Sequence, residues 1–361
     1  MADTWQVSTS AAPKDAPEAI GFPFDPPRPD GEAVTLAPGV LWLRMPMPMQ
    51  LDHINVYLLR DDDGWFIVDT GLNTEATRAL WEAVVARHFG GLPLKGVICT
   101  HFHYDHAGLS AWLTERFDAP LYMTHGEYFT MRILAGPPPE PLPPSLLQFY
   151  LRAGMPRDRV EEMFSRLRRD PFMPPHPRAF RRLREAQTMR IGGRDWRVVI
   201  GEGHSPEHAC LYCEADQILI AGDQLLPRIT SNVLVSDIEP EANPLKLWLD
   251  SLERLALLAP RTLVLPSHER VFHGLHRRVE ELQAHHALQF DIVRAHLAEV
   301  GAATAFETKA RLFPRMLSAV EDMMALGETI AHLSCLRFAG EVRRVLDDDG
   351  MYRFSLANRK E

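Results

Sequence analysis

An α/β fold follows from three features of this chain. Short apolar runs rich in β-branched and aromatic residues alternate with stretches of helical periodicity. Several of the runs end in Asp, His or Gly clusters, and the carboxyl ends of strands are where open α/β sheets build ligand sites. Apolar residues make up 46% and charged residues 24% of 361, a composition that buries a sizeable core and excludes wholesale disorder. No apolar run approaches the ~20 residues of a bilayer-spanning helix. The formal net charge of −9 argues against a general nucleic-acid binder, which needs basic surface to displace counterions.

Residues 1–34, rich in Pro, Ala and Asp, read as a loosely ordered arm. They show no basic segment followed by an apolar one, so no secretory signal and a cytoplasmic location are expected. The first strand falls at 55–59. The turn Asp61-Asp62-Asp63-Gly64 joins it to a second at 65–68, as in a hairpin, and that strand ends in Asp69-Thr70-Gly71. Residues 74–89 place Ala76, Leu80, Val84 and Val85 on one helical face, with Thr74 as N-cap. A buried strand at 97–99 runs into His101-Phe102-His103-Tyr104-Asp105-His106, and a helix is expected from about 107 to 117. The strand at 120–123 has its proline at the first position, where a strand tolerates one.

Residues 136–144 hold six prolines in nine, and 171–177 hold four in seven. Proline fixes φ and removes a donor, so neither stretch continues a helix or a central strand. Between them 145–169 is amphipathic. The segment 136–177 is therefore expected as a helical insertion between stiff hinges, either a packed excursion or a cap over a pocket. Strands resume at 196–200, 208–212, 218–221 and 262–265. They lead to His204, to a turn at Ala215-Asp216, to Asp223 and to His268. Four cysteines make no disulfide framework. Cys210 and Cys213 form a lone C-x-x-C in an apolar run and are expected as inert buried thiols, like Cys99 and Cys335.

His101-x-His103-x-Asp105-His106 packs four candidate metal ligands into six residues. On extended or looping backbone His101 and His103 point the same way. Imidazoles and carboxylates suit zinc and other borderline divalent ions. With His204, Asp223 and His268 there are seven donors, enough for two adjacent metals that share one carboxylate and leave room for water. Alone, His204 or His268 reads as a hydrogen-bonded structural residue, and an H-x-H pair is weak. The full H-x-H-x-D-H is far more specific, because burying so many such groups without a cation is costly. His208 is expected within a strand, as a support or core residue. His53, before the first strand, is a candidate for the site mouth. His273, His276, His285, His286 and His296 follow helical spacing and are expected to be exposed. His88, His125, His176 and His332 belong to no motif.

Thr100-His101-Phe102-His103-Tyr104-Asp105-His106-Ala107-Gly108 resembles the signature of the metallo-β-lactamase-fold superfamily. Asn55-Val56-Tyr57-Leu58 through Val68-Asp69-Thr70-Gly71 resembles its opening hairpin. Gly203-His204-Ser205-Pro206-Glu207-His208, Ala221-Gly222-Asp223 and Leu265-Pro266-Ser267-His268 resemble its later ligand motifs. The resemblance covers about residues 35 to 275. It implies a four-layer αββα sandwich with a glyoxalase II-like binuclear site at one edge. One metal would take His101, His103 and His204; the other would take Asp105, His106 and His268, with Asp223 bridging. Asp69 matches a position that supports the ligand loop. Many relatives have a Gly-His-Gly turn where this chain has Ser267-His268-Glu269, so Glu269 is expected to alter local charge.

Two divalent ions, zinc first and iron or manganese next, imply hydrolysis by a bridging hydroxide. Asp105 is then the expected catalytic carboxylate, orienting the attacking oxygen and passing its proton to the leaving group. A bridging aspartate resembles thioesterases, lactonases and phosphodiesterases more than antibiotic-degrading members. Met47 and Met49 before the first hairpin, with His53 and Tyr104, are candidate pocket residues, and Leu146, Leu147, Phe149 and Tyr150 hint at an apolar acyl pocket. The expected substrate is a small ester or thioester with an apolar acyl part. A phosphodiesterase or endoribonuclease is the first alternative, a lactonase or β-lactamase the second. No membrane partner is expected.

The chain is thus expected to divide into the arm at 1–34, a hydrolase domain at 35–276 and a C-terminal unit at 277–361. In the last, a helix at 277–300, shorter helical patterns at 308–313, 316–324 and 326–338, and a hairpin at 342–346 and 351–356 resemble a winged helix. Such an extension occurs in superfamily members, some of which cleave RNA. Residues 279–361 carry 10 Lys+Arg and 13 Asp+Glu, net −3, and 326–338 has only Arg337 as a cation. Neither suits phosphate tracking. The unit is expected to pack on the sandwich or to build a homodimer contact.

Overall fold

Period-two alternation of apolar side chains sets the layers of this molecule. The computed structural model describes residues 19–49, 51–169, 176–315 and 318–357. Seven strands form one sheet in chain order: β1 (Val34–Ala37), β2 (Val40–Pro46), β3 (His53–Asp61), β4 (Gly64–Val68), β5 (Leu94–Ile98), β6 (Leu121–Met123) and β7 (Arg181–Arg182). β1 to β4 are antiparallel and β4 to β7 parallel. The second sheet comprises β8 (Thr188–Ile191), β9 (Arg194–Gly201), β10 (His208–Cys213), β11 (Ile218–Gly222) and β12 (Leu263–Pro266), in the order β12-β11-β10-β9-β8. On β3, Tyr57 and Leu59 enter the core between the sheets, whereas Val56 and Leu58 face the helices outside. On β10, Ala209, Leu211 and Cys213 face the other sheet, and Cys210 and Tyr212 face outward. The C-x-x-C cysteines thus sit on opposite faces of one strand, buried and free.

Helices α1 (Glu75–His88), α3 (Ser110–Arg116) and α4 (His125–Leu134) cover the first sheet through Trp81, Val84, Leu113, Tyr128 and Met131. Helices α7 (Pro244–Leu255) and α8 (Leu275–Val300) cover the second through Leu245, Trp248, Leu252, Val279 and Leu282. The result is the expected αββα order. Thr74 caps α1 by accepting from Thr77 N at 3.1 Å. The buried face differs from the expected one: Thr77, Trp81 and Val84 are inside and Ala76 is exposed, because Trp81 outweighs the smaller side chains and donates to Thr70 O at 2.7 Å. The helix expected at 107–117 is broken into α2 (Tyr104–Ala107) and α3. The arm is packed from residue 19 onward, with Gly21 N donating to His273 O at 3.1 Å and Phe22 against the core. Among the described residues no helix is long and apolar enough to cross a membrane.

The insertion forms two helices, α5 (Pro144–Arg152) and α6 (Arg157–Arg169). They dock on the C-terminal helices α9 (Ala305–Leu312) and α10 (Ala319–Phe338). Buried Asp322 on α10 pairs with Arg159 of α6 and Lys309 of α9, and Phe306 N donates to Ala153 O at 2.9 Å. The described part of the segment is thus packed against the C-terminal helices. The second hinge, 171–177, lies outside the described residues except at its end. Residues 319–338 are one helix, not two. It starts at a capping box between Ser318 and Glu321. The hairpin β13 (Val342–Leu346) and β14 (Tyr352–Leu356) forms as expected.

Helix α8 is covered on several sides, so spacing could not tell which histidines on it and just before it face water. His286 and His296 are buried, and His273, His276 and His285 are half-buried. His332 on α10 donates from Nδ1 to Glu328 O at 2.8 Å, so its Nε2 accepts from His286 Nδ1 at 3.1 Å. Burial holds these rings at about 3 for His286 and about 4 for His332. Glu328 is half-buried, and burial pushes its carboxyl from 4.5 to about 7. The folded state therefore holds that proton more tightly than the unfolded chain does. Stability falls as pH rises from about 4.5 to about 7, by about 2 kcal/mol after allowing for partial exposure. Glu328→Gln should accordingly raise Tm at pH 8 by about 3 °C and leave it nearly unchanged at pH 4. Thermal melts of both proteins at the two pH values check this.

Candidate metal centre

All seven expected donors meet at the carboxyl edge of the two sheets. His101 and His103 lie on the loop after β5, and Asp105 and His106 in the single turn of α2. His204 follows β9, Asp223 follows β11 and His268 follows β12. One donor group comprises His101, His103, His204 and Asp223, and another Asp105, His106 and His268, each with ligand atoms within 4.8 Å of one another. Asp223 Oδ2 lies 3.5 Å from His106 Nε2 and 3.6 Å from His204 Nε2, and its Oδ1 lies 3.4 Å from His268 Nε2. Asp105 Oδ2 lies 3.3 Å from His268 Nε2 and 3.5 Å from His106 Nε2.

Hydrogen bonds behind the rings fix their tautomers. His204 Nδ1 donates to Asn232 O at 2.8 Å and His268 Nδ1 to His53 O at 3.1 Å. His106 Nδ1 donates to Asp69 Oδ2 at 2.8 Å. Thr100 Oγ1 donates to Asp69 Oδ2 at 2.9 Å and so accepts from His101 Nδ1 at 3.0 Å. All four imidazoles thus turn Nε2 toward one small volume. His101 Nε2 is 3.2 Å from His204 Nε2 and 2.8 Å from His103 Nδ1.

A divalent cation fits this donor set. Buried His106 Nε2 and Asp223 Oδ1 have no hydrogen-bond partner among the described residues. Burial and neighbouring imidazoles hold His101 well below the ordinary histidine value, and burial and His204 bring His103 to about 3. At His268 burial acts downward, but Asp223 and Asp105 outweigh it and raise the ring to about 10. At His106 burial is likewise outweighed by Asp105, Asp223 and Asp69. One half of the site therefore offers neutral nitrogen donors, and the other calls for positive charge between two carboxylates.

The supports reach across the sandwich. Asp69 also accepts from Thr100 N at 2.8 Å. His208 Nε2 accepts from Asp223 N at 3.1 Å, so His208 steers the carboxylate through the backbone. The ring fits because residue 222 is glycine: a Cβ there would lie 2.4 Å from His208 Nε2. Three further supports were not among the expected site residues. Buried Glu127 on α4 ties the His103 loop to the His204 loop, accepting from Phe102 N at 2.9 Å and from Ser205 Oγ and Glu207 N at 2.7 Å. Burial still pushes its carboxyl up to about 7. Asn55 donates to Pro266 O at 2.8 Å, and Arg44 donates to Glu269 O, fastening the His268 turn. Glu269 itself has φ +66°, the left-handed region that favours glycine.

The expected pocket residues divide. Tyr104 Oη lies 3.8 Å from Sδ of exposed Met49, whereas Met47 is buried in the core. His53 lies beside the His268 turn. Its Nε2 accepts from Glu269 N at 3.1 Å, its Nδ1 lies 2.5 Å from Asp52 Oδ1, and its carbonyl holds His268. Leu146, Leu147, Phe149 and Tyr150 pack into the core shared with the C-terminal helices, so they build no acyl pocket at the metal edge.

An αββα sandwich with this donor set at its edge defines a metallohydrolase. The chain belongs to the metallo-beta-lactamase superfamily: the superfamily's sequence pattern matches residues 49–268, and that of the metallo-beta-lactamase-like C-terminal domain matches 292–357. It is similar to a beta-lactamase domain protein of Burkholderia ambifaria, with 42% identity, a TM-score of 0.85, and 94% of this chain and 98% of that one covered. It is 28% identical over 309 residues to the probable metallo-hydrolase YqjP of Bacillus subtilis, covering 82% of this chain and 92% of that protein. It is also 26% identical over 172 residues to the atrochrysone carboxyl ACP thioesterase AacuM of Aspergillus aculeatus, covering 48% of this chain and 52% of that protein.

Proposed function

We propose that this chain is a binuclear metallohydrolase of esters or thioesters with an apolar acyl part. The position of Asp223 carries the reading, because its two oxygens face both donor groups. His101, His103 and His204 would hold one zinc ion, Asp105, His106 and His268 the other, with Asp223 shared; iron or manganese suits the same donors. Bound, such ions supply a water of lowered pKa and polarise a carbonyl oxygen. Asp105, buried between His106 and His268, is placed to take the proton of the attacking water and return it to the leaving group. Thr100, Asp69 and His208 hold the donors in one protonation pattern, so little reorganisation accompanies reaction.

Exposed Met49 beside Tyr104 supports an apolar substrate part, and the thioesterase among the relatives supports an acyl thioester. Helix α10 is buried along most of its length and Arg337 is paired with Glu241, which favours a small molecule over nucleic acid. The test is a screen of zinc-loaded protein against acyl-coenzyme A thioesters of increasing chain length, a lactone, a β-lactam and bis-(p-nitrophenyl) phosphate. Thioester kcat/KM should rise with chain length. Turnover confined to the phosphodiester would overturn the reading.

A further inference from the structure

We propose that Gly327 and Arg278, on the C-terminal helices, are positioning residues for His204 and Asp223, acting through the segment 224–243. The inference rests on the reading that these two residues hold metal. The segment joins β11 to α7 and contains neither helix nor strand, so its conformation is set by what it touches. On one side it touches the donors. Ser231 Oγ donates to Asp223 O, and Asn232 O accepts His204 Nδ1 at 2.8 Å. That carbonyl decides which nitrogen of His204 carries the proton and therefore which one faces the cluster.

On the other side the segment packs Leu225, Val233 and Val235 into the core, and two of its polar anchors lie on the C-terminal helices. Buried Arg278 of α8 donates from Nε to Leu226 O at 2.6 Å and from Nη2 to Ile229 O at 2.8 Å. A planar guanidinium holds two carbonyls in a fixed relation, which an ammonium does not. Val235 N donates to Gly327 O of α10 at 3.1 Å. Gly327 stands inside a 20-residue helix, where glycine is disfavoured relative to alanine. The approach of the segment accounts for it: a Cβ at 327 would lie 2.8 Å from Leu234 Cβ and 3.0 Å from Val235 O. Leu234 and Val235 follow Asn232 by two and three residues, so pushing them away pulls the acceptor off His204. The acidic C-terminal unit thereby gains a role that needs no nucleic acid: it is the back wall of a metal ligand.

The experiment measures zinc affinity by competition with a chromogenic chelator, beside thermal melting of the metal-free proteins. Gly327→Ala should weaken one of two zinc sites about tenfold with little change in metal-free Tm. Adding Leu234→Gly, which removes the colliding Cβ, should restore most of that affinity. Arg278→Lys, which keeps the charge and loses the fork, should weaken the same site and serves if Gly327→Ala does not fold. Wild-type zinc affinity in Arg278→Lys and in folded Gly327→Ala overturns the proposal, and so does a lower metal-free Tm at unchanged affinity. A wild-type protein that binds no zinc would instead sink the metal reading beneath it.

Discussion

Asp223→Ala is expected to leave the folded protein short of at least one metal equivalent and to lower kcat/KM by about 10³-fold or more, about 4 kcal/mol of transition-state stabilisation. The size follows from its place between the donor groups. If it is the shared carboxylate proposed above, its loss removes a ligand from each, and it strips His106 and His268 of the carboxylate they face at 3.5 and 3.4 Å. His103→Ala touches one group only and should keep one equivalent. Asp223→Asn keeps the shape but not the charge and should fall between wild type and Asp223→Ala. Metal analysis of desalted protein, with circular dichroism as the check on folding, separates these cases. Two full equivalents in Asp223→Ala would contradict a shared carboxylate.

What could be read from the sequence was what is encoded locally. H-x-H-x-D-H is contiguous, and His204, Asp223 and His268 each follow an apolar run, so strand periodicity placed them at one edge. Glu127 joins Phe102 to Ser205 and Glu207, partners about 25 and 80 residues away, and no periodicity encodes that. Proline marked where the insertion interrupts the rhythm, but what α5 and α6 pack against depends on Asp322 and Phe306 far along the chain. His286 and His296 looked exposed because helical spacing shows faces and not how many are covered. The expected break between 324 and 326 does not form: the helix runs through Gly327, whose missing side chain makes room for residues 234–235.

Asp69→Asn should cost nearly as much as losing a ligand, although Asp69 faces no metal position. Asp69 is buried, and everything that meets it donates: Thr100 N at 2.8 Å on Oδ1, then Thr100 Oγ1 at 2.9 Å, His106 Nδ1 at 2.8 Å and Ser267 Oγ at 3.3 Å on Oδ2. Asparagine has one carbonyl oxygen and one NH2. The backbone N–H of Thr100 cannot reverse, so the amide oxygen must take the Oδ1 position and the NH2 the Oδ2 position. His106 Nδ1 must then accept, and its proton moves to Nε2, the atom that faces Asp105 and Asp223. Thr100 Oγ1 must also turn its hydrogen away, toward His101 Nδ1, which moves that ring's proton to Nε2 as well. One substitution without change of shape thus blocks one nitrogen donor in each half of the site. Metal content should fall and kcat/KM should drop about 10²–10³-fold, with Tm close to wild type. Asp69→Ala, by contrast, takes the acceptor from all four buried donors, at about 1–3 kcal/mol for each left unsatisfied, and should lower Tm sharply. Nitrogen-15 spectra of the histidine rings read the tautomers directly. Wild-type metal content in Asp69→Asn, with His106 still protonated at Nδ1, would show that the charge of Asp69 and not its acceptor pattern holds the site.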